Sequence, residues 1–365
     1  MAGKPGASQQ RRPQLFRESG EEVIMECRKI VFTQVNKAEL LADEVPSLAS
    51  DHVLIETKVS TISSGTERAN ITGDPYVTVA SVEPDVRFPR FGGYSSAGVV
   101  TAVGSNVKSV KPGDRVALSW SHHASHQVIN ECNVHLIESD QVSYAAAALT
   151  HIATFPLAAI RKCRLEIGES GVVMGLGVLG LLAVQLLHAA GAVPVIAVDP
   201  VADRREKALK LGADYAFDPF APGFIEKVKE VTHGGVNVAI EVTGNGQALN
   251  QVLDCMAKFG RVALLGCTRH SDFTVDYYHK VHGPGITLVG AHTNARPQTE
   301  SYAGYWTHHD DAMALLRLCA SGRINLDAMI EETHAPEDAP EVYQRLINEK
   351  AFPIVQFDWT KIAKE

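Results

Sequence analysis

The apolar positions of this chain change their period near residue 152. Ahead of that point, from Met25, short stretches alternate. "HVLIETKVSTI" (52–62) alternates along its length. "AGVVTAVGSNVKSVKPGDRVALSW" (97–120) reads as strand, glycine turn, strand, a Lys-Pro-Gly-Asp turn and another strand. Short strands at this spacing predict a barrel-like β module. Beyond it, apolar runs alternate with helical stretches: "GVVMGL", "VLGLLAVQLLHAAG", "VPVIAVD", "ADRREKALKLG", "NVAIEVTG", "ALNQVLDCMAKFG" and "RVALLG". That order predicts a doubly wound parallel sheet, whose strands are apolar on both faces because helices cover both. After "GITLVGAH" come two helical stretches, "HHDDAMALLRLCASG" and "APEVYQRLINE", and a last strand, "FPIVQFDW". The expected division is a disordered tail over 1–24, a β-rich domain over 25–151, a nucleotide-binding domain over 152–290, and a return to the first domain over 291–365.

One run has the length of a membrane span. Ser170 to Val198 holds no Asp, Glu, Lys or Arg, long enough to cross a bilayer. Its spaced glycines and Pro194 instead predict strand, turn, helix, turn and strand. A length of 365 residues fits two domains. The net charge of −8 offers no basic face for nucleic acid or an anionic membrane. The six cysteines never form a C-x-x-C pair, which argues against a disulfide framework or a four-cysteine zinc lobe and for reduced thiols in a cytoplasmic protein. The first 24 residues lack the apolar core of a secretion signal.

"GLGVLG", from Gly175 through Leu176, Gly177, Val178 and Leu179 to Gly180, follows a strand and opens a helix. Gly175 serves the tight turn, Gly177 lets a pyrophosphate approach the backbone, and Gly180 lets the helix pack closely. The helix N-terminus then faces the phosphates with free N–H groups. Asp199 closes the next strand, where a carboxylate accepts from the adenosine ribose and repels a 2′-phosphate. That favours NAD over NADP, with Arg204 covering the adenine side.

The β-rich module with "KPGDRVAL", then "GLGVLG", then "IEVTGN" resembles the medium-chain dehydrogenase/reductase superfamily over nearly the whole chain from Met25. "SSGTER" (63–68), "GYSSAG" (93–98) and "HTNARPQTESYAGYWTHHDDAMALL" resemble a narrower, zinc-lacking branch that includes bacteriochlorophyllide-dehydrogenase-like members. The resemblance implies a GroES-like catalytic domain, a Rossmann domain and an active site in the cleft between them. It places Ser64, Tyr94 and Thr150 where the family's catalytic zinc is held. None is a thiolate, imidazole or carboxylate, so no zinc is expected. The family's proton-relay hydroxyl falls on Thr66, with Glu67 beside it, and its pyrophosphate-gripping arginine is replaced by Gly65. Thr154 matches a nicotinamide-side threonine, and Val242, Thr243, Leu265, Gly266 and Gly290 match cofactor contacts at the Rossmann strand ends. A homodimer joined through the sheet edge near "GITLVGAH" is also implied.

"SHHASH" sets His122, His123 and His126 near the same cleft, with His151 as a further imidazole for a replacement metal site. Strand alternation sends His122 and His123 to opposite faces, against convergence. His123 is expected to touch substrate or move a proton, and Trp120 and His292 to line the substrate pocket. Thr307 is read as a helix cap, with Asp310 and Asp311 meeting the helix dipole. The reading that follows is a zinc-independent, NAD-dependent oxidoreductase acting on a secondary alcohol or ketone, such as a sugar or polyol. Two alternatives stay open: a quinone or enone reductase, and an NAD(H)-binding sensor without turnover.

Overall fold

The computed structural model describes residues 15–16, 22–23, 25–77, 86–269, 271 and 273–363. The tail expected over 1–24 lies outside them, apart from a two-residue antiparallel pairing of Leu15–Phe16 with Glu22–Val23. The β-rich part begins with β1 (Glu26–Gln34) and β2 (Lys37–Glu44), joined at Asn36 in the left-handed region (φ 60°). There follow β3 (His52–Thr61), helix α1 (Ser64–Ile71), β4 (Arg90–Phe91), β5 (Ser95–Val103), β6 (Arg115–Ser119), β7 (His126–Asn130) and β8 (Val134–Leu136). Two helices lead out of it, α2 (Tyr144–Ala147) and α3 (Thr150–Lys162).

The alternating part runs β9 (Gly171–Met174), α4 (Val178–Ala189), β10 (Val195–Val198), α5 (Ala202–Lys210), β11 (Tyr215–Phe217), α6 (Phe224–Val231), β12 (Val236–Glu241), α7 (Gly246–Cys255), β13 (Met256–Leu264) and β14 (Thr287–Gly290). The chain closes with α8 (His308–Ala320), β15 (Glu332–His334), α9 (Ala339–Asn348) and β16 (Val355–Asp358).

Among the described residues, β9 to β14 form one six-stranded parallel sheet in the order β11-β10-β9-β12-β13-β14. The strand order reverses between β9 and β12, the crevice at which open α/β sheets bind ligands. The charge-free stretch becomes β9, α4 and β10, buried on both sides. No described helix is long and apolar enough to cross a membrane. The β-rich part holds a second sheet, β8-β6-β5-β3-β16-β15, with β7 also on β3, and a smaller one, β2-β1-β4. Its strand β16 comes from the C-terminus and pairs antiparallel with β3, Gln356 opposite Thr61. The last segment thus returns to the first module.

Candidate active site

The glycine-rich loop has the geometry that its spacing predicts. Gly175 sits at φ +96°, and a Cβ there would lie 2.8 Å from Thr243 Cγ2. A Cβ on Gly180 would stand 1.9 Å from the Gly175 carbonyl oxygen, so α4 can pack on the loop only without one. Gly177 has no atom within 4 Å of such a position: the space above it is open. Asp199, buried at the end of β10, accepts from Leu176 N (2.8 Å) and Val201 N (2.9 Å), which ties the loop to the next strand. Pro200, Phe220, Thr243 and Asn245 complete a pocket beside Gly175 and Asp199. A second cleft runs between the two parts of the chain, lined by Ser64, Gly177, Val178, Arg204 and Phe352. Arg204 lines this cleft, with its guanidinium 3.9 Å from Asp199. Val242, Thr243, Leu265, Gly266 and Gly290 all lie just past the C-terminal ends of β12 and β13 or at the end of β14. Two of them pack: Leu265 is buried, and a Cβ on Gly266 would meet Gly244 N at 2.2 Å.

Tyr94 lies at the entrance to β5, half-buried. Its ring packs against Trp120, His151 and Phe155, with centroids at 6.2, 5.2 and 6.0 Å. Its hydroxyl bonds to Ser63 Oγ and faces Thr66 Oγ1 at 3.5 Å. With Ser63 donating, the phenol proton points along the weaker bond to Thr66, which a better acceptor can displace. Burial pushes this phenol up to about 12, against its hydrogen bonds with Ser63 and Thr66, so it stays a donor near neutral pH. Ser63 opens the "SSGTER" stretch but is not among the residues the sequence singles out. Ser64, which a motif does mark, turns toward the phosphate-side cleft.

Glu67 and His123 are placed elsewhere than expected. Glu67 is fully buried and accepts from Tyr343 Oη (2.5 Å), Ser63 N (2.9 Å) and Gly93 N (3.3 Å). His123, also without exposed surface, meets Glu67 Oε2 through Nε2 (3.1 Å) and Ser60 Oγ through Nδ1 (2.7 Å). A Cβ on Gly93 would collide with His123 N at 2.3 Å. Both side chains are enclosed and fully paired, so neither reaches a substrate. They brace the Gly92–Tyr94 turn from behind. Tyr343, from α9, completes this brace; nothing local in the sequence marks it, because it sits 276 residues from its partner.

The start of α3 faces the same place. Thr150 and His151 are buried, and Thr150 Oγ1 and His151 Nε2 have no hydrogen-bond partner among the described residues. His151 Nδ1 meets His308 Nε2 at 2.7 Å. Thr154, expected beside the nicotinamide, is enclosed: its hydroxyl donates to the His151 carbonyl at 2.8 Å and lies 3.3 Å from His308 Nε2. Trp120 is 45% exposed, with its ring 4.6 Å from that of His151. His292 is half-buried in the loop after β14 and accepts from Asn294 N. Thr307 caps α8 through Asp310 N (3.2 Å), as its position suggests. Asp311 does more than meet the dipole: it is buried between Arg161 (2.8 Å) and Arg296 (3.4 Å).

The hydroxyls of Ser64, Tyr94 and Thr150 do not fit zinc, which takes thiolate, imidazole or carboxylate ligands. Among the described residues no three His, Cys, Asp or Glu side chains are grouped to hold a metal. His122 packs on Phe91, away from His151.

A GroES-like sheet joined to a dinucleotide-binding sheet, with a polar cleft between, is the architecture of a medium-chain dehydrogenase. The family models agree: "Alcohol dehydrogenase GroES-like domain" matches residues 49–159 and "Zinc-binding dehydrogenase" matches 178–307. The chain belongs to the zinc-type alcohol dehydrogenases of the medium-chain superfamily, and is an oxidoreductase. An L-threonine 3-dehydrogenase of Caldanaerobacter subterraneus subsp. tengcongensis is 29% identical over 69% of this chain and 79% of its own. A D-guloside 3-dehydrogenase of Escherichia coli is 23% identical over 88% and 96%. The same fold occurs in a solved putative zinc-binding dehydrogenase from Sinorhizobium meliloti bound to NADP, at a TM-score of 0.75 and 19% identity, covering 92% of this chain and 99% of that one.

Proposed function

We propose that the chain is an NAD-dependent, zinc-independent dehydrogenase that moves hydride between the nicotinamide and a secondary alcohol or ketone, with a sugar or polyol as the favoured substrate class. The observation that carries the zinc-free chemistry is the phenol of Tyr94, a neutral donor set among rings at a position where relatives of this family hold metal. Hydride transfer builds or removes charge on the substrate oxygen; a donor aimed at that oxygen stabilises it, as a Lewis acid otherwise would. When bound, the nicotinamide supplies the hydride donor or acceptor. Gly175, Gly177 and Gly180 would leave room for its pyrophosphate, the α4 N-terminus would offer amides, and Asp199 would accept from the ribose hydroxyls. The names of the relatives, dehydrogenases of L-threonine and of a D-guloside, support a hydroxylated substrate.

Calorimetric titration tests the cofactor half. NAD(H) is expected to bind several-fold to a hundredfold more tightly than NADP(H), about 1–3 kcal/mol, from the Asp199 carboxylate beside a 2′-phosphate. Equal affinity, or NADP preference, would overturn it. Elemental analysis of chelator-free protein tests the other half; a value near one zinc per chain would overturn it. The aromatic lining from Tyr94, Trp120 and Phe155 favours a second reading, reduction of a quinone or enone. Turnover of an enone without oxidation of any polyol would select that reading, and NADH binding without any turnover would select a sensor.

A further inference from the structure

The two unpartnered atoms at the start of α3 sit beside the ring of Tyr94. A buried polar atom without a partner costs about 1–3 kcal/mol. Here one of them, His151 Nε2, belongs to a ring whose other nitrogen is tightly held. That ring is enclosed by Tyr94, Trp120, Phe155 and His308, with centroids at 5.2, 4.6, 5.1 and 4.8 Å. Of the four, Trp120 is the one at the surface, 45% exposed and held at φ +56°, a conformation costly for a tryptophan. Of the walls around Nε2, this indole is the one that a substrate oxygen entering from solvent would have to displace.

The hydrogen bonds favour one placement of the ring proton. The Thr154 hydroxyl proton points to the His151 carbonyl, so toward His308 Nε2 that oxygen can only accept. A His308 Nε2–H then serves two acceptors at once, Thr154 Oγ1 at 3.3 Å and His151 Nδ1 at 2.7 Å. His151 is left with its own proton on Nε2, on the side of the ring away from His308. Burial first, and then His308, His135 and Arg296, hold the His151 imidazole well below its usual range, so this is a neutral donor.

Resting on the oxidoreductase reading above, we infer that His151 is a catalytic residue: its Nε2–H reaches the substrate oxygen beside Tyr94 and delivers the proton, and His308 recharges it. In the reducing direction, hydride from the reduced nicotinamide forms the new C–H bond and the C=O π pair moves onto oxygen. The His151 Nε2–H bond breaks as the O–H bond forms. His151 Nδ1 takes the proton of His308 Nε2, and His308, which is partly exposed, takes one from solvent at Nδ1, leaving both imidazoles in the other tautomer. Once product leaves, His308 Nδ1 returns its proton to solvent, the His151 Nδ1 proton passes back to His308 Nε2, and His151 Nε2 takes a solvent proton, which restores the resting pair with no net proton change. The sum is one ketone, one hydride and one proton giving one alcohol and oxidised nicotinamide. Tyr94 holds the oxygen and keeps its own proton.

His151→Phe retains an enclosed ring and deletes both nitrogens. Its kcat should fall about 10²–10³-fold, with KM and the NADH Kd each within about threefold of wild type; His151→Gln, which keeps a donor, should recover at least roughly tenfold of that loss. A role in packing alone would move stability and KM and leave kcat. A drop of less than about threefold in kcat, with wild type active, overturns the assignment while the oxidoreductase reading stands. Absence of turnover by wild type over alcohols and ketones with both cofactors overturns that reading, and His151 with it. ¹⁵N-histidine NMR of the wild-type chain supplies a readout independent of activity and of variant folding. A protonated Nε2 and bare Nδ1 on a ring hydrogen-bonded to a second histidine supports the inference, and the reverse tautomer overturns it.

Discussion

Tyr94 and Glu67 are both candidates for chemistry, and burial separates them. Tyr94 keeps one face on the cleft and a hydroxyl whose acceptor at 3.5 Å is poor. Tyr94→Phe keeps the ring and deletes the donor. Loss of one such donor costs about 10²–10³ in turnover, so kcat is expected to fall by that much with NADH affinity unchanged, measured by steady-state rates and titration. A loss below about threefold would make the ring a filler of space. Glu67 has the opposite profile. Removing its carboxyl strands Tyr343 Oη, His123 Nε2 and two backbone N–H groups. At about 1–3 kcal/mol for each buried group left unpaired, against a usual total of 5–15 kcal/mol, Glu67→Ala is expected to abolish folding or nearly so. Tyr343→Phe, which strands one oxygen, should cost about 1–3 kcal/mol in urea unfolding while leaving the NADH Kd alone. A tighter effect on kcat than on stability would return this carboxyl to the catalytic set.

Two elements present the site, and each depends on a close approach. The β9–α4 turn works because Gly180 lies against the Gly175 carbonyl. Gly180→Ala must push α4 away by more than an ångström, which misaligns the amides meant for the pyrophosphate. NADH binding is expected to weaken at least about tenfold, a loss near 1.4 kcal/mol, with the far-ultraviolet spectrum retained. Binding unchanged would mean that the phosphates lie elsewhere. The stretch from His292 to α8 is the other element. Arg296 donates to the Thr154 carbonyl (3.3 Å) and pairs with Asp311, which also holds Arg161 from α3. Arg161 in turn lies 3.6 Å over the Trp306 ring. Through these contacts the segment clamps α3 and sets His308 against His151.

At the scale of the whole molecule, several histidines are buried in neutral form. Burial first, and then neighbouring charges, pushes His308 down to about 3 and holds His135 and His151 well below the usual range. Once unfolded, each would take a proton near pH 6.5. Above that pH both states are neutral and these groups add no slope. Between about 6.5 and 4 the unfolded chain binds more protons, so stability falls as pH drops, by up to about 1.4 kcal/mol per pH unit for each such histidine. Urea midpoints should decline steeply from pH about 6.5 to about 5, and a flat profile there would contradict the buried neutral cluster. The β14 strand lies at an edge of the parallel sheet, paired on one side to β13. We propose, from the family resemblance and this free edge, a dimer joined there and a cytoplasmic setting. Sedimentation of wild type and of a Leu288→Pro variant checks the first: wild type should sediment as a dimer and the variant as a monomer.

The period change near residue 152, the glycine spacing and Asp199 were enough to determine both domains and the nucleotide loop, because these features act through local backbone geometry and short-range burial. The identities of Ser64, Tyr94 and Thr150 were legible for the same reason: three hydroxyls at fixed motif positions are a local fact. What the catalytic groups do was decided only by tertiary structure. Glu67 and His123 read as reactive until Tyr343, Ser60 and the Gly92–Gly93 backbone closed around them. Ser63 rather than Ser64 meets Tyr94 because α1 begins at Ser64, which turns one hydroxyl toward each side. His151 acquires a partner from a residue 157 positions away. Burial and hydrogen-bond partners are properties of contacts between distant segments, and no pattern along the chain records which segments will meet.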